Sequence, residues 1–121
     1  AALRNLKTKI AQFHSQKPGQ SKYPGLQSLQ IAKLITIEEM RSPFADSATF
    51  DGPGLHVNQQ ATDALPPSTI AAYDRGSYAS GPAVVVMYVD GRVDLLSRTD
   101  FDAAIKAPPH DKTDWFVPKT P

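Results

Sequence analysis

The sequence contains no cysteine, no run of about 18 apolar residues and no cluster of basic residues. The absence of cysteine excludes disulfide frameworks, zinc–thiolate sites, iron–sulfur clusters and thiol catalysis. Because no apolar stretch is long enough, nothing within the given residues is predicted to span a membrane. A formal net charge of +1, without any mixed basic and aromatic segment, argues against nucleic acid as a partner.

Catalytic motifs are scarce as well. Gly52-Pro53-Gly54 lacks the lysine and the following helix of a phosphate-binding loop. Ser77, Ser80 and Gly81 do not form a nucleophile elbow, since a strand is predicted after them where that motif has a helix. The histidines are interpreted as helix-surface or solvated side chains: His14, His56 and His110. We therefore predict that the chain is not an enzyme.

Two helices are predicted near the start of the chain. Apolar residues recur there at three- and four-residue spacing, with polar and basic residues between them, which predicts an amphipathic helix to about Ser15. Pro18-Gly19 ends this helix, and a second helix of about two turns is predicted from Leu26 to about Lys33. The core face of the first helix consists of Leu3, Leu6, Ile10 and Phe13.

The next part of the chain is predicted to be mostly loop. Thr36 and Glu39 have the spacing of a capping box, which predicts a short turn from Ile37 to Met40. From Arg41 to Ser68 the sequence is rich in Pro, Gly, Asp, Ser and Asn, and its apolar residues are isolated. We predict a long ordered loop there, with at most one short strand.

Three strands are predicted in the second half: Thr69 to Tyr73, Ala83 to Val89 and Arg92 to Ser97. Asp90-Gly91 separates the last two and predicts a hairpin with a two-residue type I′ turn. Such a turn needs positive φ at both positions, which aspartate tolerates and glycine adopts without strain. Asp90 and Gly91 are therefore assigned a structural role in a turn.

The end of the chain predicts one more helix and a tail. Thr99, with Asp102 three residues on, caps a helix that Pro108-Pro109 stops. We expect a globular head of residues 1–107 and a proline-rich tail of residues 108–121. The tail contains an apolar triplet that is predicted to be buried either on its own domain or on a partner. Its members are the candidate partner-docking residues: Trp115, Phe116 and Val117.

These elements together predict an α+β fold with a single core. The N-terminal amphipathic helix packs on a small antiparallel β-sheet, accompanied by the long ordered loop, the short C-terminal helix and the tail. Because no other helix has so apolar a face, the first helix is expected to cover Val84, Val86 and their strand neighbours.

Charge is divided along the chain. Residues 1–41 contain seven Lys/Arg and two Glu, a net charge of +5, whereas residues 42–121 contain six Lys/Arg and ten Asp, a net charge of −4. One interpretation is an amphipathic helix with a solvated basic face. The other is head-to-tail contact between copies, in which the basic part of one chain meets the acidic part of the next.

Several stretches resemble the pilin-like family. Leu3-Arg4-Asn5-Leu6-Lys7, continuing to Tyr23-Pro24-Gly25-Leu26, resembles the exposed half of the pilin helix and the Tyr-Pro-x-Leu entry of type II secretion major pseudopilins. Residues 34–43, 70–74 and 84–97 are similar to the planctomycete-type prepilin-like families, which have a C-terminal Asp-Gly hairpin. The chain differs from those families at Ser42 and Ser80, where they often have cysteine and histidine.

The resemblance implies a structural or assembly subunit of a pilus- or pseudopilus-like surface filament or secretion apparatus. It implies a location in the cell envelope, in the periplasm or at the cell surface. The implied partners are other copies of this chain or other pilin-like subunits, and a membrane is contacted only through an apolar helix expected before Ala1. The alternative is a non-catalytic accessory or binding subunit attached to a larger cell-envelope complex.

No cofactor is predicted, but calcium stays open because the resembling pseudopilins hold this ion in a C-terminal loop. Aspartate is the over-used ligand type in the loops, at Asp46, Asp51, Asp63 and Asp74. No Asp-x-Asp-x-Asp-Gly string is present, so solvated loop aspartates are the competing interpretation and the metal ligands stay unknown. Three tyrosines are interpreted as strand packing, with a binding platform as the alternative: Tyr73, Tyr78 and Tyr88.

Overall fold

The structure is a computed structural model that describes residues 2–36, 39, 54–80, 82–108, 110–115 and 117. Within these residues, four helices accompany one four-stranded antiparallel sheet, which confirms the predicted α+β class. Most of the predicted turn from Ile37 to Met40 and residues 41–53 of the predicted loop lie outside the described residues.

The helices and strands alternate only in part along the chain. The helices are α1 (Ala2–Gln16), α2 (Leu26–Ile31), α3 (Arg75–Ser80) and α4 (Arg98–Ile105). The strands are β1 (Leu55–Val57), β2 (Ile70–Asp74), β3 (Ala83–Tyr88) and β4 (Val93–Ser97). Their order in the sheet is β1-β2-β3-β4, so each strand pairs with its neighbour in sequence.

Both faces of the sheet are covered. On one face, α1 and α2 share a core with Leu55, Met87 and Val89. On the other face, residues of α3, α4 and the tail share a second core with Val84 and Val86. Strand β3 contributes to both cores because successive side chains of a strand point to opposite faces.

The predicted core face of α1 is buried, with exposures of 2% for Leu3, 0% for Leu6, 1% for Ile10 and 5% for Phe13. The expected contact of this face with Val84 and Val86 is wrong, because both valines lie in the core on the α4 side. The segment from Ala83 to Val89 is apolar at every position, so no alternation marks which side chains face which helix.

A register shift between Ile70 and Ala72 changes the alternation of side chains in β2. Ala71 and Ala72 both lie in the core on the α1 side, whereas Ile70 and Tyr73 both lie in the opposite core. Such an irregularity places one extra residue in a strand. It therefore presents two short side chains to the helix and two large ones to the other face.

The hairpin between β3 and β4 is at the predicted place but has a different turn. The Tyr88 N–H donates to the Arg92 carbonyl at 2.9 Å, and the Gly91 N–H donates to the Tyr88 carbonyl at 2.8 Å. Gly91 has a φ of 89°, but Asp90 is not among the described residues with positive φ. A three-residue loop with a left-handed glycine at its end fits these bonds, so the predicted type I′ turn is wrong.

Replacement of Gly91 tests this turn. We expect Gly91→Val to lower the free energy of unfolding by more than ~1 kcal/mol, because a β-branched residue is strained at positive φ. An added Cβ would meet only Lys7 Cγ, at 3.6 Å, so strain and not collision causes the loss. Urea unfolding is the measurement, with Gly19→Ala as the control at an open position. An unchanged midpoint for Gly91→Val would contradict the assignment.

Helix α2 ends in a Schellman motif. The N–H of Lys33 donates to the Gln30 carbonyl at 3.0 Å, and the N–H of Leu34 donates to the Leu29 carbonyl at 2.9 Å. The motif places Lys33 in the left-handed region, at φ 62°, where glycine is the usual residue. The predicted helix limit near Lys33 was therefore two residues too far.

We expect Lys33→Gly to stabilise the isolated chain by about 0.5–1 kcal/mol. Removing the side chain relieves a left-handed cost of about 1–2 kcal/mol, of which the greater freedom of glycine in the unfolded chain cancels part. Urea unfolding measures the change, and Lys17→Gly, near the end of α1, is a matched exposed control without positive φ. A lower urea midpoint for Lys33→Gly would contradict the conclusion that Lys33 is strained.

The caps of the two C-terminal helices differ from prediction. Helix α4 begins after Ser97, whose Oγ accepts the Asp100 N–H at 3.0 Å, so the predicted cap at Thr99 is wrong. Helix α3 was not predicted. Asp74 Oδ1 accepts the Ser77 N–H at 3.1 Å at its start, and this bond stabilises a segment whose glycine and serines have low helix propensity.

Candidate functional site

A polar network joins α1 to Tyr23 and to the loop before β2. Lys7 Nζ donates to the Tyr23 hydroxyl and to Asp63 Oδ1, each at 2.7 Å, and the Tyr23 hydroxyl donates to the same Asp63 oxygen at 2.5 Å. The ammonium group also lies 4.9 Å from the centre of the Tyr23 ring. Lys7, Tyr23 and Asp63 come from three separate segments of the chain and hold α1 in place, so we call them the α1 clasp.

The charge states within the α1 clasp follow from its contacts. Burial alone would lower the pKa of Lys7, but its hydrogen bonds to Asp63 and Tyr23 raise it. Burial raises the pKa of Tyr23, and the hydrogen bonds from Lys7 and Tyr23 lower the pKa of Asp63. At neutral pH the network therefore contains an ammonium, a neutral phenol and a carboxylate. In this neutral state the Tyr23 hydroxyl acts as a hydrogen-bond donor within the network and not as a general base.

A second contact fastens the other flank of α1. Lys9 Nζ donates to the Leu34 carbonyl at 2.6 Å and lies 2.9 Å from Glu39 Oε2. The predicted capping box is present: the Glu39 N–H donates to Thr36 Oγ1 at 3.2 Å, and the Thr36 N–H donates to Glu39 Oε1 at 3.0 Å. Lys7 and Lys9 are thus engaged within the chain. Head-to-tail attraction between copies needs other charged groups.

The tail packs on its own chain at Trp115. This side chain is 4% exposed and lies 6.1 Å from the Tyr73 ring and 6.2 Å from the Phe101 ring, centre to centre. Its indole N–H donates to the His110 carbonyl at 2.9 Å, and its own carbonyl accepts the Tyr73 hydroxyl at 2.7 Å. Val117 packs against the same core, and Phe116 lies outside the described residues. Of the two alternatives for the apolar triplet, Trp115 follows the first: it is buried on its own domain.

His110 joins this tail to the end of β2. Its Nε2 accepts the Ile70 N–H at 2.8 Å, which requires the neutral ring, and its Nδ1 then donates to the Ala104 carbonyl at 3.1 Å. Burial lowers the pKa of His110, while the bond to Ala104 and the charge of Asp111 oppose this shift. The interpretation of His110 as a solvated side chain is therefore wrong, since it is 7% exposed.

We expect the chain to lose stability as the pH falls from 7 to 5. A group whose folded pKa is below its unfolded value stabilises the fold above the unfolded pKa, and this contribution is lost as pH falls through the folded pKa. His110 is such a group, with an ordinary pKa of 6.5. Urea unfolding across this range measures the slope, which His110→Gln should reduce. An equal slope for the unsubstituted chain and for His110→Gln would contradict the assignment.

A polar cleft of about 200 Å³ lies between β1 and residues 113–114. Its lining consists of His56, Val57, Gln59, Gln60, Thr113 and Asp114. Burial lowers the pKa of His56 against the effect of a hydrogen bond with the Asp114 backbone, so the ring is neutral at pH 7. Thr113 Oγ1 donates to Asn58 Oδ1 at 2.7 Å, which holds the tail against the turn after β1. Neutral donors and acceptors dominate this cleft.

The described loop aspartates do not converge on a cation. Asp63 belongs to the α1 clasp, and Asp74 caps α3, whereas Asp46 and Asp51 lie outside the described residues. In the part of the chain that the structure describes, no group of three or more His, Asp or Glu side chains is placed to share a metal ion. Asp63 and Asp74 thus form hydrogen bonds within the chain, and calcium binding stays a prediction.

The remaining candidate side chains have packing roles. Ser77 Oγ donates to the Asp74 carbonyl at 2.7 Å and accepts the Val85 N–H at 2.9 Å. The Ser77 hydroxyl therefore links the start of α3 to β3. Tyr73, Tyr78 and Tyr88 are 0%, 9% and 9% exposed, so they pack in the core and do not form an exposed platform. The Tyr78 hydroxyl donates to Asp102 Oδ1 at 2.9 Å and thereby links α3 to α4.

The fold and these contacts define a small α+β domain with helices on both faces of an antiparallel meander. Comparison with protein-family models, with curated proteins and with solved structures finds no match. Among the described helices, none has the length and apolarity to cross a membrane. Sequence patterns did not reveal the α1 clasp, because its members are 16 and 56 residues from Lys7.

Proposed function

We propose that this chain is the globular head of a structural or assembly subunit in a pilus- or pseudopilus-like filament or secretion apparatus of the cell envelope. The observation that carries the proposal is the packing of α1, whose whole apolar stripe is buried on one face of the sheet. Filaments of the resembling class are built from packed helices that carry heads on their surface. A subunit of this kind needs a helix and a head that move as one body.

The fastening of α1 on both flanks supports such a role. The α1 clasp holds one flank to the loop before β2, and Lys9 holds the other flank to Leu34 and Glu39. The carboxylates of both ion pairs are exposed, at 67% for Asp63 and 38% for Glu39, so these pairs orient the helix and add little stability. A force on the helix is therefore transmitted to the sheet through apolar packing and two polar contacts.

The positions of the resembling segments give further support. Tyr23, from the Tyr-Pro-x-Leu segment, contacts Lys7 directly, and Gly91 of the Asp-Gly hairpin lies near the same lysine, since a Cβ added at Gly91 would be 3.6 Å from Lys7 Cγ. The Tyr23 hydroxyl also lies 3.4 Å from the Val89 carbonyl. The Tyr-Pro-x-Leu segment and the Asp-Gly hairpin are far apart in sequence, yet both lie next to α1. Their positions suit a domain that is organised around this helix.

The test is to locate the chain in its native cells. Surface filaments are sheared from the cells, and antibodies raised against this chain are applied with gold labels for electron microscopy. The proposal predicts regular label along filaments and loss of these filaments when the gene is deleted. Label confined to the cell interior, with filaments unaffected by deletion, would reject it.

One observation favours the alternative of a non-catalytic accessory subunit in a larger envelope complex. The cleft at β1 offers neutral hydrogen-bonding groups on a rigid scaffold, which suits a polar partner. Purification of the native chain under mild conditions distinguishes the two functions. Stable copurification with unlike chains in fixed ratio, without filaments, would favour the accessory subunit.

A further inference from the structure

Three side chains hold the segment after α4 against the rest of the domain. Trp115 packs in the core on the α4 side, and Thr113 Oγ1 donates to Asn58 Oδ1 at 2.7 Å. The ring of His110 is hydrogen bonded to both β2 and α4. We call His110, Thr113 and Trp115 the tail latch. The histidine is its titratable member.

His110 takes the place of a strand neighbour at the start of β2. Strand β1 ends at Val57, and beyond it the backbone of Ile70 is bonded to side chains. Asn58 Nδ2 donates to the Ile70 carbonyl at 3.1 Å, and His110 Nε2 accepts the Ile70 N–H at 2.8 Å. Because Ile70 is 1% exposed, this buried N–H depends on the histidine for its acceptor.

Protonation of His110 is incompatible with this contact. The protonated ring carries a hydrogen on both nitrogens, so Nε2 no longer accepts and would face the Ile70 N–H donor to donor. The ring is 7% exposed, so the docked state would also bury a positive charge. Undocking exposes the ring to water and removes both costs. Protonation therefore favours the undocked segment.

The surroundings of the ring set the direction of the pH effect. Helix α4 presents the Ala104 carbonyl to it, β2 presents the Ile70 N–H, and the Trp115 ring lies 5.7 Å away, centre to centre. Burial lowers the pKa of His110, and the charge of Asp111 on the same segment partly opposes this. The stabilisation of the docked segment is thus present above pH 6.5 and is lost as pH falls through the lowered pKa.

His56 is a second buried histidine beside the tail latch, with its ring 6.3 Å from that of Trp115. Burial lowers the pKa of His56, the charge of Arg75 adds to this effect, and a hydrogen bond with the Asp114 backbone opposes it. Since that bond favours the charged ring, protonation strengthens it instead of breaking it. Of the two histidines, only His110 loses a tail contact when it gains a proton.

The segment can undock without unfolding of the whole domain. Docking fixes the backbone of the tail, and the conformational entropy lost offsets much of what the burial of Trp115 contributes. Segments held by such a balance open locally while the rest of a protein stays folded. Among the described residues, those that form the core beneath α1 include no member of the tail latch.

We propose that the tail latch is a pH-operated device, which stays docked while His110 is neutral and is released when His110 is protonated, with α1 and the sheet still folded. Release uncovers Tyr73 and Phe101, whose rings Trp115 contacts in the docked state. Acidification thereby turns a closed α4-side core into an accessible aromatic surface. This inference does not depend on the proposed filament function.

Trp115 supplies the test, because it is the only tryptophan of the chain and its fluorescence reports on the latch directly. Quenching of this fluorescence by acrylamide should increase severalfold between pH 7 and pH 5. In NMR spectra of the same chain, the amide signal of Ile70 should move, whereas those of α1 and β3 should stay dispersed. Constant quenching would overturn the proposal, and so would a collapse of the α1 and β3 signals together with the exposure of Trp115.

A matched pair of histidine variants identifies the group that titrates. His110→Gln places an amide oxygen where Nε2 accepts the Ile70 N–H, so quenching should stay low at both pH values. His56→Gln should retain the transition. A transition that persists unchanged in His110→Gln, or that is lost only in His56→Gln, would overturn the role of His110.

Asp111→Asn adds a readout that a purely structural role of His110 would not change. The carboxylate of Asp111 raises the pKa of His110 against the effect of burial, so its removal should shift the quenching transition to lower pH. Asp111 is exposed, and docking at pH 7 should be unaffected. If His110→Gln is undocked at both pH values, this shift decides: an unmoved transition in Asp111→Asn would overturn the proposal.

Discussion

Trp115→Ala is expected to lower the free energy of unfolding by roughly 3–5 kcal/mol, the range for removal of a large buried aromatic side chain. The ring contacts Tyr73 and Phe101 in the core on the α4 side, and its N–H is bonded to the His110 carbonyl. The alanine variant loses this packing and leaves that carbonyl without its donor. Folded domains have only about 5–15 kcal/mol of stability, so the loss is severe.

Urea unfolding measures the Trp115 effect, with tyrosine fluorescence as the probe in the variant. Trp115→Phe is the matched variant: it keeps a ring and loses the N–H, so a smaller loss is expected. Lys112→Ala, at an exposed tail position, should change stability by less than about 0.5 kcal/mol. A loss below about 1 kcal/mol for Trp115→Ala would mean that the tail is not docked on its own chain.

Phe13→Ala is expected to cost about 3 kcal/mol or more, because its ring is 5% exposed in the core beneath α1. Gln12→Ala, on the exposed side of the same helix, is the control and should be close to neutral. A loss below about 1 kcal/mol would show that α1 is detached from the sheet or packs on another chain.

A double-mutant cycle with Val86→Ala tests which face of the sheet α1 covers. Phe13 and Val86 lie in separate cores, so their effects should add within about 0.5 kcal/mol. Direct packing of Phe13 on Val86, which the sequence suggested, would instead give a coupling energy above that value.

Local patterns in the sequence predicted much of the secondary structure. The spacing of Leu3, Leu6, Ile10 and Phe13 was sufficient for α1, and Asp90-Gly91 located the hairpin between β3 and β4. The spacing of Thr36 and Glu39 also predicted the observed capping box. Each of these features depends on residues that are close to each other in the sequence. A residue pattern can therefore reveal it without knowledge of the rest of the fold.

Other local features carried no clear signal. Helix α3 forms in a segment with glycine and serine because Asp74 caps it and Tyr78 is buried, 9% exposed, against α4 residues. Helix α2 ends with a lysine in the left-handed region where glycine would have marked the end. In α3, tertiary contacts outweighed helix propensities of about 1 kcal/mol or less per residue.

The tertiary structure alone decided which side chains meet. Strand β3 has apolar side chains on both faces, so its sequence does not show which helix each of them meets. Only the packing of the helices decides that Met87 lies under α1 and Val86 under α4. The register shift in β2, the burial of Trp115 and the α1 clasp likewise join residues that no short pattern connects. Backbone conformation responds to near neighbours, whereas these contacts depend on how a whole sheet shields both of its faces from water.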